Sequence, residues 1–402
     1  MCIIFKNGIN FNLVIFEYNT HKTYTTVIID IFIIMSTALV RRTPAKSIEP
    51  SPLLSNESVR ILERKTGKLY SAMCDLPEEL DLSGCDDFTE FHMLSTVKKL
   101  NLSNCSQIVD VSMFSNVQEI VLEYCNNIPD ISALKHCKYI FLIGAHGITD
   151  VSMMGEVEHL SLWYCNGITD VSALGEVEEL SLCGCENITD ISELGENYAV
   201  HLDECIGITN VSSLCQVNHV SLNECINITD VSELYDCVSL SLEACQGVTD
   251  ISMLGDVEEL NLARNDHITD VSMLGNVETL TLYECVNITD VSALGEASRL
   301  NLCDCTGITD VSMLGKVKKL FLSGCTGITD VSMLGNVEEL HLRNCTDITD
   351  VSALGKVKKL FLSGCTGITD VSMLGDVEEL DISGCTGITD ISALSKVKKL
   401  NI

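Results

Sequence analysis

FLSGCTGITDVSMLGNVEEL, residues 321–340, decides the fold, because the same twenty residues return at 361–380 with only Asn336 replaced, by Asp376. From Asp81 to Leu400 the chain divides into sixteen lines of twenty residues without insertion or deletion, and most lines fit xLSxCxxITDVSxLGxVxxL. We number positions within a line from 1 to 20, starting at Asp81. A fixed period of this length predicts a stack of units that pack on their neighbours, in place of separate globular domains.

Each line predicts one short β-strand followed by an irregular return. Leu340 and Leu342, with a polar residue between them, show the period-2 alternation of a strand with one buried face. Ile, Val and Leu at positions 8, 11 and 14 are spaced by three and are expected to face inward. Only about a dozen residues separate successive strands, which is too few for a crossover helix. The lines therefore predict a parallel β-stack with a thin, 3₁₀-like opposite side.

The stretch VEELHLRNCTDI, residues 337–348, resembles the leucine-rich repeat pattern LxxLxLxxNxx(I/L), with Cys at the asparagine position. The resemblance covers residues 81–402 and recurs in every line. It implies a repeat solenoid of the β-rich α/β class, a leucine-rich repeat horseshoe with a parallel concave sheet of about 16–17 strands and a thin 3₁₀ or irregular convex side. CTGITDVSxL is also similar to repeats of trypanosomatid leucine-rich repeat proteins and to cysteine-containing repeats of F-box proteins.

The residues before the repeats differ in composition. Residues 1–34 contain no trace of the repeat, and we interpret them as an upstream extension that is not native or not structured; a signal peptide or anchor is the alternative. Residues 35–53, with three prolines and two arginines, are expected to form a disordered leader. Within 54–80, NESVRILERKTG predicts a capping helix that begins at Asn56 and stops at Gly67, followed by the first strand. Residues 81–402 form the repeat domain.

Position 5 carries Cys in fourteen lines and Ala145 or Asn265 in the other two. In the family that the chain resembles, asparagine at this position bonds the backbone of the turns, and a thiol is a smaller and weaker donor. We therefore predict a buried structural ladder with reduced thiols, whose members include Cys105, Cys125, Cys165, Asn265, Cys325 and Cys365. Metal binding and disulfide pairing are the alternatives, although side chains stacked in parallel have the wrong dihedral for a disulfide.

Position 10 carries Asp in nearly every line, including Asp330 and Asp370, with Asn210 as a substitute. Neighbouring carboxylates repel each other, so each must be solvated or bonded. The TDVS context predicts that each Asp accepts backbone N–H groups two and three residues further on. Calcium along the column is the alternative, but the glycine-rich nonapeptides of calcium-binding β-rolls are absent.

The net charge of -32 and the pI near 4.4 argue against a nucleic-acid or anionic-membrane partner, because both require positive surface. A protein partner with a basic surface fits the charge better. No nucleophile motif or phosphate loop occurs, and the recurring Asp and Ser belong to the repeat frame. We therefore expect a cytoplasmic protein that is not an enzyme and that has no cofactor and no metal site. The sequence leaves the oligomeric state open.

The binding surface is predicted from the outward positions 19, 1 and 3 of the strands, with position 4 at the rim. In the last five strands, positions 18 and 19 alternate between Lys-Lys and Glu-Glu, which predicts mutual pairing. The earlier strands carry the aromatic residues and histidines of the candidate site, which are Tyr124, Tyr139, Phe141, His159, Trp163, Tyr164 and His201. Trp163 is expected to face solvent. The alternative is that these are unrelated surface residues, with Phe141 covering the sheet.

These patterns predict a non-enzymatic protein-protein interaction scaffold that binds a partner on its concave face. The trypanosomatid resemblance implies a narrower alternative, a regulatory subunit of a signalling enzyme such as adenylate cyclase. A surface or secreted leucine-rich repeat adhesin is a third reading, since bacterial repeat proteins share ITDVSxL.

Overall fold

The computed structural model describes residues 56–66 and 76–402. The N-terminal segments 1–34 and 35–53 lie outside the described residues. The α-helix among the described residues, α1, spans Asn56–Thr66. Seventeen strands follow within the described residues; β1–β17 span Glu79–Asp81, Lys99–Asn101, Glu119–Val121, Tyr139–Ile143, His159–Trp163, Glu179–Ser181, Ala199–His201, His219–Ser221, Ser239–Ser241, Glu259–Asn261, Thr279–Thr281, Arg299–Asn301, Lys319–Phe321, Glu339–His341, Lys359–Phe361, Glu379–Asp381 and Lys399–Asn401.

The strands form one parallel sheet in chain order. Each residue pairs with the residue twenty positions later, from Leu80 opposite Leu100 to Leu380 opposite Leu400. The repeat length therefore sets the register directly. One strand per twenty residues with a parallel register is the leucine-rich repeat arrangement, and the predicted fold class is confirmed.

The return path of most repeats contains one short 3₁₀ segment, as predicted, and turns make the rest. They span Phe91–Thr96, Ser112–Phe114, Ser132–Leu134, Ser172–Leu174, Ser212–Gln216, Ser232–Leu234, Leu254–Asp256, Ser272–Leu274, Ser292–Glu296, Ser312–Leu314, Ser332–Leu334, Ser352–Lys356, Ser372–Leu374 and Ser392–Lys396. Successive turns approach closely: a Cβ on Gly315 would lie 2.4 Å from the carbonyl oxygen of Met333. Glycine at position 15 permits this contact.

The core is a set of apolar columns that run the length of the stack. Side chains at positions 20, 2, 5, 8, 11, 14 and 17 point inward. In one repeat these are Leu340, Leu342, Cys345, Ile348, Val351, Leu354 and Val357, none more than 1% exposed. At the amino end, Ile61 and Leu62 of α1 are buried, and Lys65 Nζ donates to the carbonyl oxygen of Ser83 beyond β1 at 2.6 Å. The helix α1 therefore lies at the amino end of the stack, in contact with the region of β1.

The rim at position 4 has a backbone conformation that the sequence did not predict. All sixteen residues there have positive φ, between 54° and 77°. The left-handed turn lets the Gly324 amide donate to the Arg343 carbonyl just beyond the next strand at 2.8 Å, and the Cys325 amide to the Leu322 carbonyl at 3.1 Å. Glycine occupies only some of these positions, so residue identity conceals the requirement.

Candidate interaction surface on the sheet face

The solvent side of the sheet, here called the sheet face, consists of strand positions 19, 1 and 3 with position 4 at its rim. Because the register is twenty residues, side chains from consecutive repeats stand side by side, about 4.8 Å apart. The opposite side, made by the 3₁₀ segments and turns, is the return face. The predicted aromatic residues and histidines all lie on the sheet face or its rim.

Tyr139 and His159 are brought together by the pairing of β4 with β5. Their rings stack with centroids 4.6 Å apart. His159 Nδ1 lies 2.6 Å from Glu179 Oε2 on β6, and its Nε2 is buried without a hydrogen-bond partner. His159 is only 9% exposed. His159 therefore packs against Tyr139 and leaves little of its own surface for contact with a partner.

Phe141 and Trp163 lie on β4 and β5, which are five residues long where the other strands have three. Both side chains are half-buried. Trp163 lies on the sheet face, and its Nε1–H donates to the hydroxyl of Ser181 on β6 at 2.5 Å. A buried indole N–H normally finds such a partner, and here the partner lies on the neighbouring strand.

Tyr124 and Tyr164 are the exposed members of the site, at 37% and 38%. Both occupy the left-handed rim position, where a bulky residue is uncommon. Glycine follows each of them on the next repeat: a Cβ on Gly184 would lie 2.2 Å from Tyr164 Cδ1. The Tyr164 ring thus occupies space that Gly184 leaves open. Its hydroxyl donates to Glu204 Oε1 at 3.0 Å, and burial followed by the Glu204 charge raises the pKa of Tyr164.

His201 lies on β7 in the same column as Phe141, with one residue of β5 and one of β6 between them. Three strand spacings, about 14 Å, therefore separate the two backbones. His201 is half-buried. The structure does not bring it into the Tyr139–His159 stack, although it stays on the same face.

The aromatic zone, which comprises Tyr124, Tyr139, Phe141, His159, Trp163, Tyr164 and His201, lies largely in a strongly acidic part of the chain. Residues 139–263 contain 22 Asp and Glu residues and no Lys or Arg. Arg264, the first cation after this stretch, lies 3.6 to 3.9 Å from carboxylate oxygens of Glu224, Glu243 and Glu284. An uncompensated negative field of this extent attracts positively charged molecules and speeds their association.

A second aromatic stack, which the sequence did not reveal, lies on β13–β15. The His341 ring sits between Phe321 and Phe361, with centroid distances of 4.4 and 4.2 Å. The Arg299 guanidinium lies 4.5 Å from the Phe321 ring centroid. A hydrogen bond from His341 lowers the pKa of Glu339 to about 2, with Lys359 adding to the effect. The available signal was the order Phe, His, Phe at position 1 of three consecutive lines.

The predicted pairing of charged columns is present beside this second stack. Lys358 Nζ lies 3.2 Å from Glu338 Oε2, and Lys398 Nζ lies 2.9 Å from Glu378 Oε2. Phe321 is only 6% exposed. At position 19, on the sheet face itself, Lys359 Nζ lies 3.6 Å from Glu339 Oε2 and Lys399 Nζ lies 3.4 Å from Glu379 Oε2. The carboxyl third of the sheet face is therefore largely self-paired, in contrast to the zone around Tyr124 and Tyr164.

The position 5 side chains form hydrogen bonds to the preceding repeat. Cys325 Sγ lies 3.0 Å from the Leu302 carbonyl oxygen, and Asn265 Nδ2 lies 2.7 Å from that of Leu242. The same carbonyl contact holds for Cys105, Cys125 and Cys365, whereas Cys165, which follows Ala145, contacts the oxygen of Trp163 at 3.6 Å. Burial raises the pKa of these thiols, to about 11 in Cys125 and about 12 in Cys365. None of the cysteines within 76–402 is in a disulfide.

The Asp column at position 10 bonds its own turn. Asp330 Oδ1 accepts the Ser332 amide at 2.9 Å, and Asp370 Oδ1 accepts that of Ser372 at 2.8 Å. These bonds, with those to the Ser side chains, lower the pKa of both carboxyls, while neighbouring Asp residues oppose the shift. Asn210 accepts the Ser212 amide in the same way at 3.0 Å.

Across 56–66 and 76–402, no group of three or more His, Cys, Asp and Glu side chains has the geometry to hold a metal ion. In the same residues, no helix has the length and apolar character to cross a bilayer.

No family model and no curated protein matches the chain. Among solved structures, an internalin from Listeria monocytogenes is 18% identical with a TM-score of 0.41, over 88% of this chain and 98% of that one. The functional domain of InlJ from the same organism, which includes a cysteine ladder, is 18% identical with a TM-score of 0.44, over 78% and 79%. A leucine-rich repeat protein from Leptospira interrogans is 15% identical with a TM-score of 0.48, over 89% and 100%.

Proposed function

We propose that this protein is a non-enzymatic interaction scaffold that binds one protein partner through the zone around Tyr124, Tyr164 and Trp163. The observation that supports this most is the exposure of two tyrosine rings at one rim of a rigid sheet, each beside a glycine of the following repeat. Tyrosine and tryptophan supply large contact areas at small cost in side-chain entropy, and truncating them at the centre of an interface commonly costs about 2 kcal/mol or more.

The charge distribution supports a basic partner. The acidic stretch 139–263 contains the whole zone except Tyr124, and Glu204 accepts the hydroxyl of Tyr164. A partner with Lys and Arg around an apolar centre would meet both the aromatic rings and the carboxylates, with a salt-dependent association rate. Nucleic acid and anionic membrane do not fit this charge.

The proposal includes a cytoplasmic location, supported by the many free, buried thiols. The narrower version, a regulatory subunit of a signalling enzyme such as adenylate cyclase, is supported only by the resemblance of CTGITDVSxL to trypanosomatid repeats. Identification of the partner separates the two.

The test is quantitative affinity capture with the wild-type protein, Trp163→Ala and Glu338→Ala. Glu338 is the control because it is exposed and already paired with Lys358 at 3.2 Å. We expect a partner that Glu338→Ala retains and that Trp163→Ala binds ~30-fold or more weakly. Retention of every captured protein by Trp163→Ala would overturn the assignment of this zone.

A further inference from the structure

The return face carries an exposed row of methionines at position 13. This methionine row consists of Met253, Met273, Met313, Met333 and Met373, which are 54 to 61% exposed. Monomeric proteins expose single apolar side chains routinely, but five methionines at one position of seven consecutive repeats, with alanine in the other two, line up as an apolar strip. Its flexible, polarisable thioethers adapt to the shape of a bound apolar surface.

The fold does not require methionine at this position. Ala293 and Ala353 occupy position 13 within the same row, and Glu193 and Glu233 occupy it in earlier repeats. The 3₁₀ return forms with Ala293 as it does with the methionines. The exposed side chains are thus available to do something other than hold the repeat together.

A column of ionised carboxylates runs beside the row. Asp330 and Asp370 each bond the amide at position 12, next to the methionine, and both carboxyls are fully exposed. A shallow cleft lies between Asp350, Asp370 and Met373. Lys316 of the same region is paired with Glu296 at 2.5 Å. The strip is therefore negative on the side of the Asp column, whereas position 16 on its other side carries both signs, with Lys356 and Asp376 exposed.

We propose that the methionine row and its Asp column form a second docking surface, on the return face, for a basic amphipathic helix of a partner protein. Six repeats separate Met253 from Met373, about 29 Å at the strand spacing, which is the length of a helix of about 20 residues. An apolar stripe on such a helix packs on the thioethers, and its Lys and Arg face the carboxylates. A second copy of this chain, at a net charge of -32, would be repelled.

This surface lies on the opposite side of the stack from Tyr124 and Tyr164. The proposal for it does not depend on the function proposed for the sheet face. Two faces with different chemistry would let one scaffold hold two partners at once.

The test uses a fluorescent 18-residue peptide of Leu and Lys with helical amphipathic spacing, and a scrambled peptide of the same composition. In the variant Met313→Ala/Met333→Ala/Met373→Ala, alanine is chosen because Ala293 and Ala353 already occupy this position. The repeat fold should therefore be preserved. We expect it to weaken binding of the amphipathic peptide at least ~10-fold in fluorescence anisotropy. The scrambled peptide should bind the wild-type protein at least ~10-fold more weakly than the amphipathic one, since only the ordered stripe meets the row.

Charge is tested separately with Asp330→Asn/Asp350→Asn/Asp370→Asn, for which Asn210 is the natural precedent because it keeps the bond to the position 12 amide. This variant should bind the amphipathic peptide more weakly than the wild-type protein does, and its binding should depend less on salt concentration. Asn344→Gly, at the rim of the sheet face and outside the aromatic zone, should bind the peptide as the wild-type protein does. Equal binding of both peptides, or no effect of the three alanines, would show attraction to overall charge only and would overturn the proposal.

Discussion

At the scale of single residues, the preference for Cys over Asn at position 5 follows from the hydrogen-bonding groups that each side chain leaves without a partner. Asn265 donates to two carbonyl oxygens, but its Oδ1 is buried without a partner. Cys325 donates only to Leu302 and buries no oxygen. An unpaired buried acceptor costs roughly 1–3 kcal/mol, so the weaker donor is the better compromise in a dry core.

Cys325→Ala should therefore lower the free energy of unfolding by about 1–2 kcal/mol, through loss of the bond to Leu302 and of the packed sulfur. The control is Cys303→Ala, because Cys303 is half-buried on the sheet face and outside the ladder. Its effect should stay below about 0.5 kcal/mol. Urea unfolding followed by circular dichroism measures both. Equal losses would mean that the ladder position carries no special energy.

At the scale of the repeat, the sequence predicted what depends on periodicity and missed what depends on side-chain contacts. The inward columns and the parallel register follow from the unbroken twenty-residue period. The left-handed rim was missed because Tyr164, Glu204 and Gly184 share one backbone conformation. The hydrogen bond of Trp163 was missed because its acceptor, Ser181, is eighteen residues away. Such contacts exist only once strands are placed side by side.

The Asp column makes the returns sensitive to acid. The pKa of Asp330, Asp350 and Asp370 is lowered from 3.8, first by the position 12 amide. A lowered folded-state pKa gives stability that is present above pH 3.8 and is lost as the pH falls through the folded-state value. Replacing the three by Asn should flatten the fall of the thermal midpoint below pH 4. An unchanged acid profile would show that these carboxyls do not contribute.

At the scale of the whole molecule, the stack behaves as one core lined by thiols. Burial raises the pKa of Cys125 to about 11 and of Cys365 to about 12, from 9.0. A raised folded-state pKa gives stability that is full below pH 9 and is lost as the pH rises through the folded-state values. Stability should therefore decline steeply in alkali, and a stability curve that is flat from pH 8 to 11 would contradict the buried ladder.

Alkylation at neutral pH gives an independent view of the same core. Within 76–402, Cys215 and Cys303 are the half-buried cysteines, and the others are buried. We expect iodoacetamide to label these two in the native protein and the ladder only after unfolding, as read by mass spectrometry. Rapid labelling of Cys325 or Cys365 in the native state would mean that the repeats open readily.

The central claim, that the exposed rim tyrosines anchor the partner, is tested most directly by replacing them with the residue that the rim itself favours. Glycine already occupies position 4 at Gly144 and Gly184. Tyr124→Gly/Tyr164→Gly therefore removes two rings and places glycine, which tolerates positive φ, in two left-handed backbone positions. Asn344→Gly makes the same exchange in the self-paired carboxyl third. Calorimetric titration of the captured partner should show at least ~30-fold weaker binding to the tyrosine variant and a change within about twofold for Asn344→Gly. Equal affinities for the two variants would contradict the account.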